Sequence, residues 1–557
     1  MSQKLLECVP NFSEGRDPEI IQQIASAISS VSGVELLDVD PGKATNRTVM
    51  TFIGDPEFVV EAAFQAIKKA QELIDMRIHK GEHPRFGATD VCPLVPVSGI
   101  SIEEASEWAR KLGKRVGEEL QFPVFLYESA ASAPHRKNLA SVRSGEYEGL
   151  ETKLSQTEWQ PDFGPAQFVP KTGTIAIGAR DFLIAVNYNL NTTSVRRANA
   201  ISFDVREAGR LIKETDPKTG QVTEIRTPGK LKAAKAIGWF IEEYGVAQVS
   251  MNLTDIQTTP LHIAFDAVNE SAFSRGMRVT GTEIVGMVPL RVLTDAGRYF
   301  LKKQNRSTGL PDSELIKIAI KSMGLDDLAP FEPTQKVIEY KISQKPADRL
   351  ISMKLNQFTE EVASESPAPG GGSVAAYVAS CGIALATMVA NLSAHKRGWD
   401  EKTPEFSDWA QKGEAIRRKL ILAVDADTEA FNKVMEAFGL PKESQEEKMA
   451  RSAAIQKAQI GAVEVPLSVM KTAFEGLPVA QKMVEIGNPN SVTDAGVGAN
   501  ALLCGIYGAY LNVLINLKDL KDRTLADQLK SEANKILSDA KLEEESIQKL
   551  VLEMIEA

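Results

Sequence analysis

A change of pattern near Tyr340 constrains this chain more than any other feature. Before it, short β-branched or aromatic runs bounded by Gly, Pro or Asp alternate with helical runs. After it, helical spacing continues to the end with almost no β-like run. A chain of 557 residues is too long for one core, so the change marks a boundary between folds. The pattern predicts a multidomain protein: two α/β (α+β sandwich) segments, then an all-α helical bundle. The segments are set at 1–180 and 181–340, a polar linker at 341–349 and the helical domain at 350–557. Two folds suggest two activities, although fold alone does not prove function.

Strand candidates are 34–39, 47–54, 123–127, 174–178, 182–189, 247–253 and 279–285. Residues 56–74, with Pro at the first turn, and 261–274 read as helices. In the helical part, Leu355, Phe358 and Val362 share one helix face, and Leu420, Val424, Phe431 and Val434 another.

The net charge of −10 weakens a nucleic-acid reading, because phosphate binding needs basic stripes. The four cysteines, Cys8, Cys92, Cys381 and Cys504, form no CxxC pair, so neither a zinc knuckle nor a disulfide framework is expected. The first residues lack an apolar core and cleavage site, so no signal peptide and a cytoplasmic location are expected. Residues 374–392 and 495–517 carry no charge and exceed the roughly 18 residues that raise the membrane question. Their Ala, Gly, Ser and Asn content predicts buried bundle helices instead, with no membrane insertion.

Two of the five histidines lie in the run His79-Lys80-Gly81-Glu82-His83-Pro84-Arg85-Phe86-Gly87. As a bare pattern, His79-x-x-Glu82-His83 matches an inverted zinc-peptidase signature. That signature needs both imidazoles on one helix face, and Gly81 and Pro84 oppose a helix here. A loop presenting His83 as an acid/base group fits better, since imidazole titrates near neutrality. A histidine satisfied by nearby backbone fits the spacing equally well. Asp40 closes an apolar strand, where α/β sites are commonly built. Asn46, Arg47 and Arg85 are candidate contacts for substrate carboxylates, against the alternative of solvated surface charge. Residues 162–173 form a Gly/Pro-bounded loop suited to a ligand clamp or a segment connection.

In the helical part, Pro369-Gly370-Gly371-Gly372-Ser373 precedes the first uncharged run, with Ser373 the expected N-cap. Gly370, Gly371, Gly372 and Ser373 can bring backbone N–H groups to an anion at a helix start. The spacing matches no nucleotide fingerprint. Asp427 falls on the apolar stripe of Leu420, Val424 and Phe431, where burial raises a carboxyl pKa toward acid/base use. A purely structural carboxylate remains the alternative. Asp425 lies on a more polar face, and Ser491-x-x-Asp494 reads as a capping box. Asn512 and Asn516 share one face of an apolar helix, so they line a polar pocket or pair with each other, and Asn516 is a candidate substrate contact. His395 is the only histidine beyond His262.

The segments CVPNFSEGR (8–16), LLDVD (36–40), NRTV (46–49), HKGEHPRFGATDVCP (79–93), PDFGP (161–165), APGGGSVAA (368–376), VDAD (424–427) and NVLINLKDL (512–520) occur here in this order. Together they resemble the formimidoyltransferase-cyclodeaminase family over essentially the whole chain. The resemblance implies two transferase subdomains followed by a cyclodeaminase bundle. The implied activity moves a formimino group from formimino-glutamate to tetrahydrofolate in histidine degradation, then closes the product to methenyl-tetrahydrofolate with loss of ammonia. It implies His83 and Asp40 as transferase residues and Asp427 as the cyclodeaminase residue. It implies folate contacts from Gly164, Pro165, Ala166, Gln167, Phe168, Val169, Pro170, Lys171, Thr172 and Gly173. Phe86, where Met is expected, and Lys171-Thr172 depart from the family pattern. Polyglutamylated tetrahydrofolate is the implied co-substrate, with no metal and no nucleotide, in a homo-oligomer built from dimers. Lys396, Arg397, Arg417, Arg418, Lys419 and Lys518 are candidate contacts for its tail. The competing readings are a metal-dependent hydrolase using His79, Glu82 and His83, a folate-binding protein with one active half, and a bundle acting chiefly as a methenyl-tetrahydrofolate cyclohydrolase.

Overall fold

The computed structural model describes residues 4–43, 45–81, 84–215, 222–343 and 350–556. The described residues fall into two compact units, Met1–Ala296 with Ala319–Gln344, and Gly297–Ile318 with Lys345–Ala557.

The first unit holds both α/β segments. Its larger sheet has seven strands among the described residues. Arg47–Gly54 pairs antiparallel with Val34–Gly42, Leu5–Cys8 and Asn11–Phe12. Thr89–Ser98 joins the sheet beside Leu5–Cys8 and runs parallel to Ile175–Ala179, which is parallel to Val124–Glu128. One face is sealed by the helices Pro18–Ser29, Pro56–Leu73 and Ile102–Leu120 over a core including Met50, Phe52, Phe64 and Leu94. Pro56–Leu73 starts where Asp55 accepts a hydrogen bond from the Glu57 N–H and Pro56 needs no donor of its own. Register assigns the opposite face. Glu7 stands opposite Ile53, Asp38 opposite Thr51 and Asp40 opposite Val49, so these side chains share it. Leu37, Ile53 and Ile338 form a small apolar cluster there.

The smaller sheet is antiparallel, in the order Ala234–Ile241, Val246–Leu253, Ile184–Leu190, Val279–Val285. The helices Val195–Val205 and Leu261–Phe273 pack on it. The predicted strands and helices match to within one to three residues. A separate hairpin, Arg210–Thr215 with Val222–Thr227, escaped the sequence pattern. The helix Ile338–Ser343 takes residues expected in the linker, and 344–349 lie outside the described residues.

The second unit is built from the helices Gly371–Ala394, Thr403–Gly439, Gln445–Phe474, Leu477–Ile486, Val492–Leu517 and Arg523–Glu556. Gly371–Ala394 and Pro489–Leu517 are long and apolar enough to cross a membrane by length and composition alone. Here their small residues meet. A Cβ on Gly382 would stand 2.6 Å from Gly498 O, and one on Gly505 2.7 Å from Ala375 O. Such backbone proximity is why these helices are rich in Gly and Ala. Residues 297–318, placed by the sequence in the second α/β segment, pack with this bundle. Ser307 Oγ donates to Asn391 Oδ1 at 2.7 Å, and the Thr308 N–H to Ser407 Oγ at 3.0 Å.

Two expected caps are corrected. Gly370, not Ser373, is the N-cap of Gly371–Ala394, and it makes no side-chain cap bond. The glycine run extends the helix upstream and leaves Ser373 inside the first turn. Ser491 precedes Val492–Leu517 without a side-chain cap bond, so the Ser491/Asp494 capping box is absent. The Ser491 backbone, at φ −116° and ψ 14°, is far from the extended cap geometry.

Candidate active site

The first candidate site surrounds the loop that carries His83. Glu82 and His83 themselves lie outside the described residues. Upstream, Asn46 is the organising residue. Its φ of 52° suits an Asn better than most side chains. Its Oδ1 accepts from the Gly15 N–H at 3.0 Å, its Nδ2 donates to Lys80 O at 3.0 Å, and its carbonyl lies 2.9 Å from His79 Nε2. A Cβ on Gly81 would stand 2.2 Å from Thr45 O, so only glycine fits. His79 is buried, and burial lowers its imidazole pKa. Residues 74–81 are not helical, which removes the geometry a zinc-peptidase signature needs. No group of three potential metal-ligating side chains exists among the described residues.

Both expected carboxylate-binding arginines are engaged within the protein. Arg47 is buried, 2.7 Å from Asp90 Oδ2 and 2.9 Å from Asn11 Oδ1. Arg85 donates to Met76 O at 2.7 Å and to His79 O, pairs with Glu148 at 2.8 Å, and stacks over the Tyr147 ring at 4.4 Å. Asp40 lies two residues before the end of its strand, beside Val49 and on the same face as Asp38. Burial raises the Asp38 carboxyl pKa; Lys336 opposes that shift and the charge of Asp40 adds to it.

The 164–173 segment is knitted to the same loop. The Ala88 N–H donates to Thr172 O at 2.8 Å, the Met76 N–H to Lys171 O at 2.9 Å and Tyr147 Oη to Pro170 O at 2.6 Å. Phe168 meets Tyr147 edge-on at 5.4 Å. Gly164 (φ 80°) and Gly173 (φ 73°) take left-handed turns against Phe122 O and Phe86 O. Ala166, Gln167 and Pro170 are exposed, Pro165 and Val169 half-buried, and Lys171 Nζ is spent on Glu72 O at 2.8 Å. Phe86 is fully buried, with its ring 6.3 Å from that of Phe125. Sequence reasoning missed Asp90, Arg143, Tyr147 and Glu148. Asp90, a charge inside an apolar strand, was the available signal; the others sit in turns without periodicity.

The second candidate site is at the start of Gly371–Ala394. Asp427 reaches it from Thr403–Gly439. Ser373 Oγ donates to Val424 O at 2.9 Å and lies 3.1 Å from Asp427 Oδ2, while the Ser373 N–H also bonds this carboxylate. A Cβ on Gly372 would fall 2.1 Å from Asp427 Oδ1. The glycine is thus what lets the carboxylate approach the helix end. Burial raises the Asp427 pKa, and the Ser373 hydrogen bonds pull against the shift. Gly371 lies beside Asn512, whose Nδ2 would be 3.3 Å from a Cβ there, and Gly370 faces open space. Asn512 donates to Gly508 O at 2.9 Å and Asn516 to Ala462 O at 2.7 Å, so the two amides do not pair and Asn516 is engaged with another helix.

Asp425 accepts from the Leu350 N–H at 2.8 Å, a structural use. His395 follows the far end of the Gly371–Ala394 helix, roughly 33 Å from Ser373 at 1.5 Å per residue. Of the basic tail candidates, Arg417 pairs with Glu414 at 2.6 Å, Arg418 with Asp312, and Lys419 with Glu475 at 3.7 Å, while Lys396 lies over Trp399 at 4.2 Å.

The two sheets and the bundle define a multidomain chain in which two α/β segments precede an all-helical domain. Family models match in that order: the N-terminal subdomain of the formiminotransferase domain at 5–180, the formiminotransferase domain at 185–343 and formiminotransferase-cyclodeaminase at 354–535. The formimidoyltransferase-cyclodeaminase of Mus musculus is 44% identical over 542 residues, 97% of each chain. Glutamate formimidoyltransferase of Thermoplasma acidophilum is 43% identical over 54% of this chain and 92% of its own. Methenyltetrahydrofolate cyclohydrolase of Methylorubrum extorquens is 39% identical over 33% of this chain and 89% of its own. The chain belongs to the formimidoyltransferase-cyclodeaminase family.

Proposed function

We propose that the chain is a bifunctional folate enzyme, a glutamate formimidoyltransferase joined to a formimidoyltetrahydrofolate cyclodeaminase. The carrying observation is the second site, where a half-buried carboxylate is held at a glycine-built helix start in a chain that aligns over 97% of its length with an enzyme of that name.

In the first step N5 of tetrahydrofolate attacks the amidine carbon of formimino-glutamate. The new C–N5 bond forms, and the bond from that carbon to the glutamate nitrogen breaks. His83 takes the N5 proton and returns it to the departing nitrogen, with Asp40 supporting the imidazolium. In the second step N10 attacks the same carbon and ammonia leaves. Asp427, its pKa raised, takes the N10 proton and hands it to the leaving nitrogen. Both steps are amidine exchanges driven by proton transfer, so the reading uses no metal and no nucleotide. The segment 165–170, in which Ala166, Gln167 and Pro170 are exposed, would border the pterin, and the basic ends of Arg397 and Lys518 would meet a polyglutamate tail. Exposed Val497, Leu511 and Ile515 on one apolar helix favour a homo-oligomer, which we place in the cytoplasm.

The test mixes enzyme, formimino-glutamate and tetrahydrofolate and follows methenyl-tetrahydrofolate absorbance together with free ammonia. Both should rise. If neither does, the reading falls. His83→Ala should slow transfer by about 10²–10⁴-fold, the usual worth of acid–base catalysis, while ammonia release from supplied 5-formimino-tetrahydrofolate continues. A second reading, a cyclohydrolase bundle, is favoured by the relative of that name. Faster turnover of methenyl- than of formimino-tetrahydrofolate would support it.

A further inference from the structure

Pro84 directly follows His83 in the chain, and from Pro84 to Ala88 every peptide carbonyl meets a donor from elsewhere. Arg85 O accepts from the Tyr147 N–H at 2.8 Å and Phe86 O from the Thr174 N–H at 3.3 Å. Gly87 O accepts from Ser13 Oγ at 2.7 Å and Ala88 O from the Ser13 N–H at 2.9 Å. The Pro84 carbonyl is treated differently, because charged side chains hold it. Arg143 Nη2 donates to it at 2.6 Å, and Arg47 Nη1 lies 3.5 Å away. Both guanidiniums share Asp90 Oδ2, at 3.0 Å from Arg143 and 2.7 Å from Arg47.

Asp90 is fully buried and Arg47 nearly so, whereas Arg143 keeps 18% of its side chain exposed. Two cations around one anion in a buried place are a poor way to stabilise a fold, since desolvation offsets most of the attraction. They are a good way to fix a backbone oxygen, because the one nitrogen, Arg143 Nη2, that donates to Pro84 O is itself held 3.0 Å from the buried Asp90 carboxylate. We infer that Arg143 is a positioning residue for formimino transfer: anchored by Asp90 and seconded by Arg47, it fixes the carbonyl of Pro84, the residue next in sequence to His83. The inference rests on the reading of His83 as the proton carrier.

The experiment uses the full chain with Arg143→Ala, Arg143→Lys and His83→Ala. Transfer is measured as kcat, KM for formimino-glutamate and the pH profile of kcat, and ammonia release from supplied 5-formimino-tetrahydrofolate reports folding. Arg143→Ala should lower kcat by about 100-fold, as a displacement of roughly 1 Å does, with KM little changed. The acidic limb of its pH profile should move, and ammonia release should persist. Arg143→Lys should recover about tenfold of the loss, since one ammonium still reaches the Pro84 carbonyl as a point charge. An unchanged kcat, a loss confined to KM, or an unmoved pH profile overturns the inference. If Arg143→Ala also loses ammonia release, the Lys variant decides: a lowered kcat with a moved profile supports the inference, and wild-type behaviour overturns it. Undiminished transfer by His83→Ala sinks the underlying reading instead, whatever Arg143 does.

Discussion

Asp427→Asn should slow ammonia release by about 10²–10⁴-fold while formimino transfer continues and the fold is at least as stable at neutral pH. The three parts of this expectation have separate causes. The amide keeps the shape of the carboxyl group, and its oxygen can still accept from Ser373 Oγ and the Ser373 N–H, so the helix start is not left empty. It cannot take up a proton, so the N10 proton loses its carrier. Stability follows from the direction of the pKa shift. Burial raises the Asp427 pKa, so this group's contribution is present below the ordinary carboxylate range and is lost as pH rises through the folded value. At pH 7 the charged form is a burden that Asn removes. Calorimetric melting at pH 5 and 7, beside ammonia release from supplied 5-formimino-tetrahydrofolate, checks all three parts. Release close to wild type would end the assignment of Asp427. Loss of transfer as well would mean that the variant had damaged the whole chain. Gly372→Ala should mimic the defect by another route, because its Cβ would fall 2.1 Å from Asp427 Oδ1.

What was legible in the sequence depended on whether the signal was local. Arg47–Gly54 and Pro56–Leu73 could be read because Gly54, Asp55 and Pro56 punctuate a clean change of period. Asp427 could be read because a carboxylate on an apolar helical stripe stands out in one dimension. The same reasoning failed for Arg47 and Arg85, which looked like free cations. Their partners, Asp90 and Glu148, are distant in sequence, and no spacing rule connects them. Ser373 was misjudged because glycine, which seemed to end the loop, already belongs to the helix. The hairpin Arg210–Thr215 with Val222–Thr227 has charges and β-branched residues mixed along both strands, so no buried face announced it. Residues 297–318 fall within the stretch 185–343 that the formiminotransferase domain model matches, as their continuity along the chain suggested, yet they pack with the bundle, because chain order says nothing about packing partners.

Glu7 was not legible as anything but a strand residue, yet it gives the first unit a stability that depends on pH in the range from acid to neutral. It sits in Leu5–Cys8 with its side chain on the face shared with Ile53, and only 3% of it is exposed. Burial raises its pKa from 4.5 to about 7, with Arg180 opposing and Glu339 adding to the shift. An acid whose folded pKa is raised contributes fully below its unfolded pKa, and that contribution is lost as pH rises through the folded value. Stability of this unit should therefore fall between about pH 4.5 and pH 7 and level off above, a loss of about 3 kcal/mol from this group at 1.36 kcal/mol per pKa unit. Glu7→Gln cannot ionise and should lack that slope. Its advantage over wild type should grow with pH to about pH 7 and then stay constant. Melting curves of both full-length proteins at pH 5, 6, 7 and 8 measure the difference, in which other titrating groups such as Asp38 cancel. Parallel pH dependence in the two proteins would mean that Glu7 ionises as freely in the fold as in water. The apolar cluster of Leu37, Ile53 and Ile338 on that face argues against such freedom, since it leaves a carboxylate there little water to keep its charge.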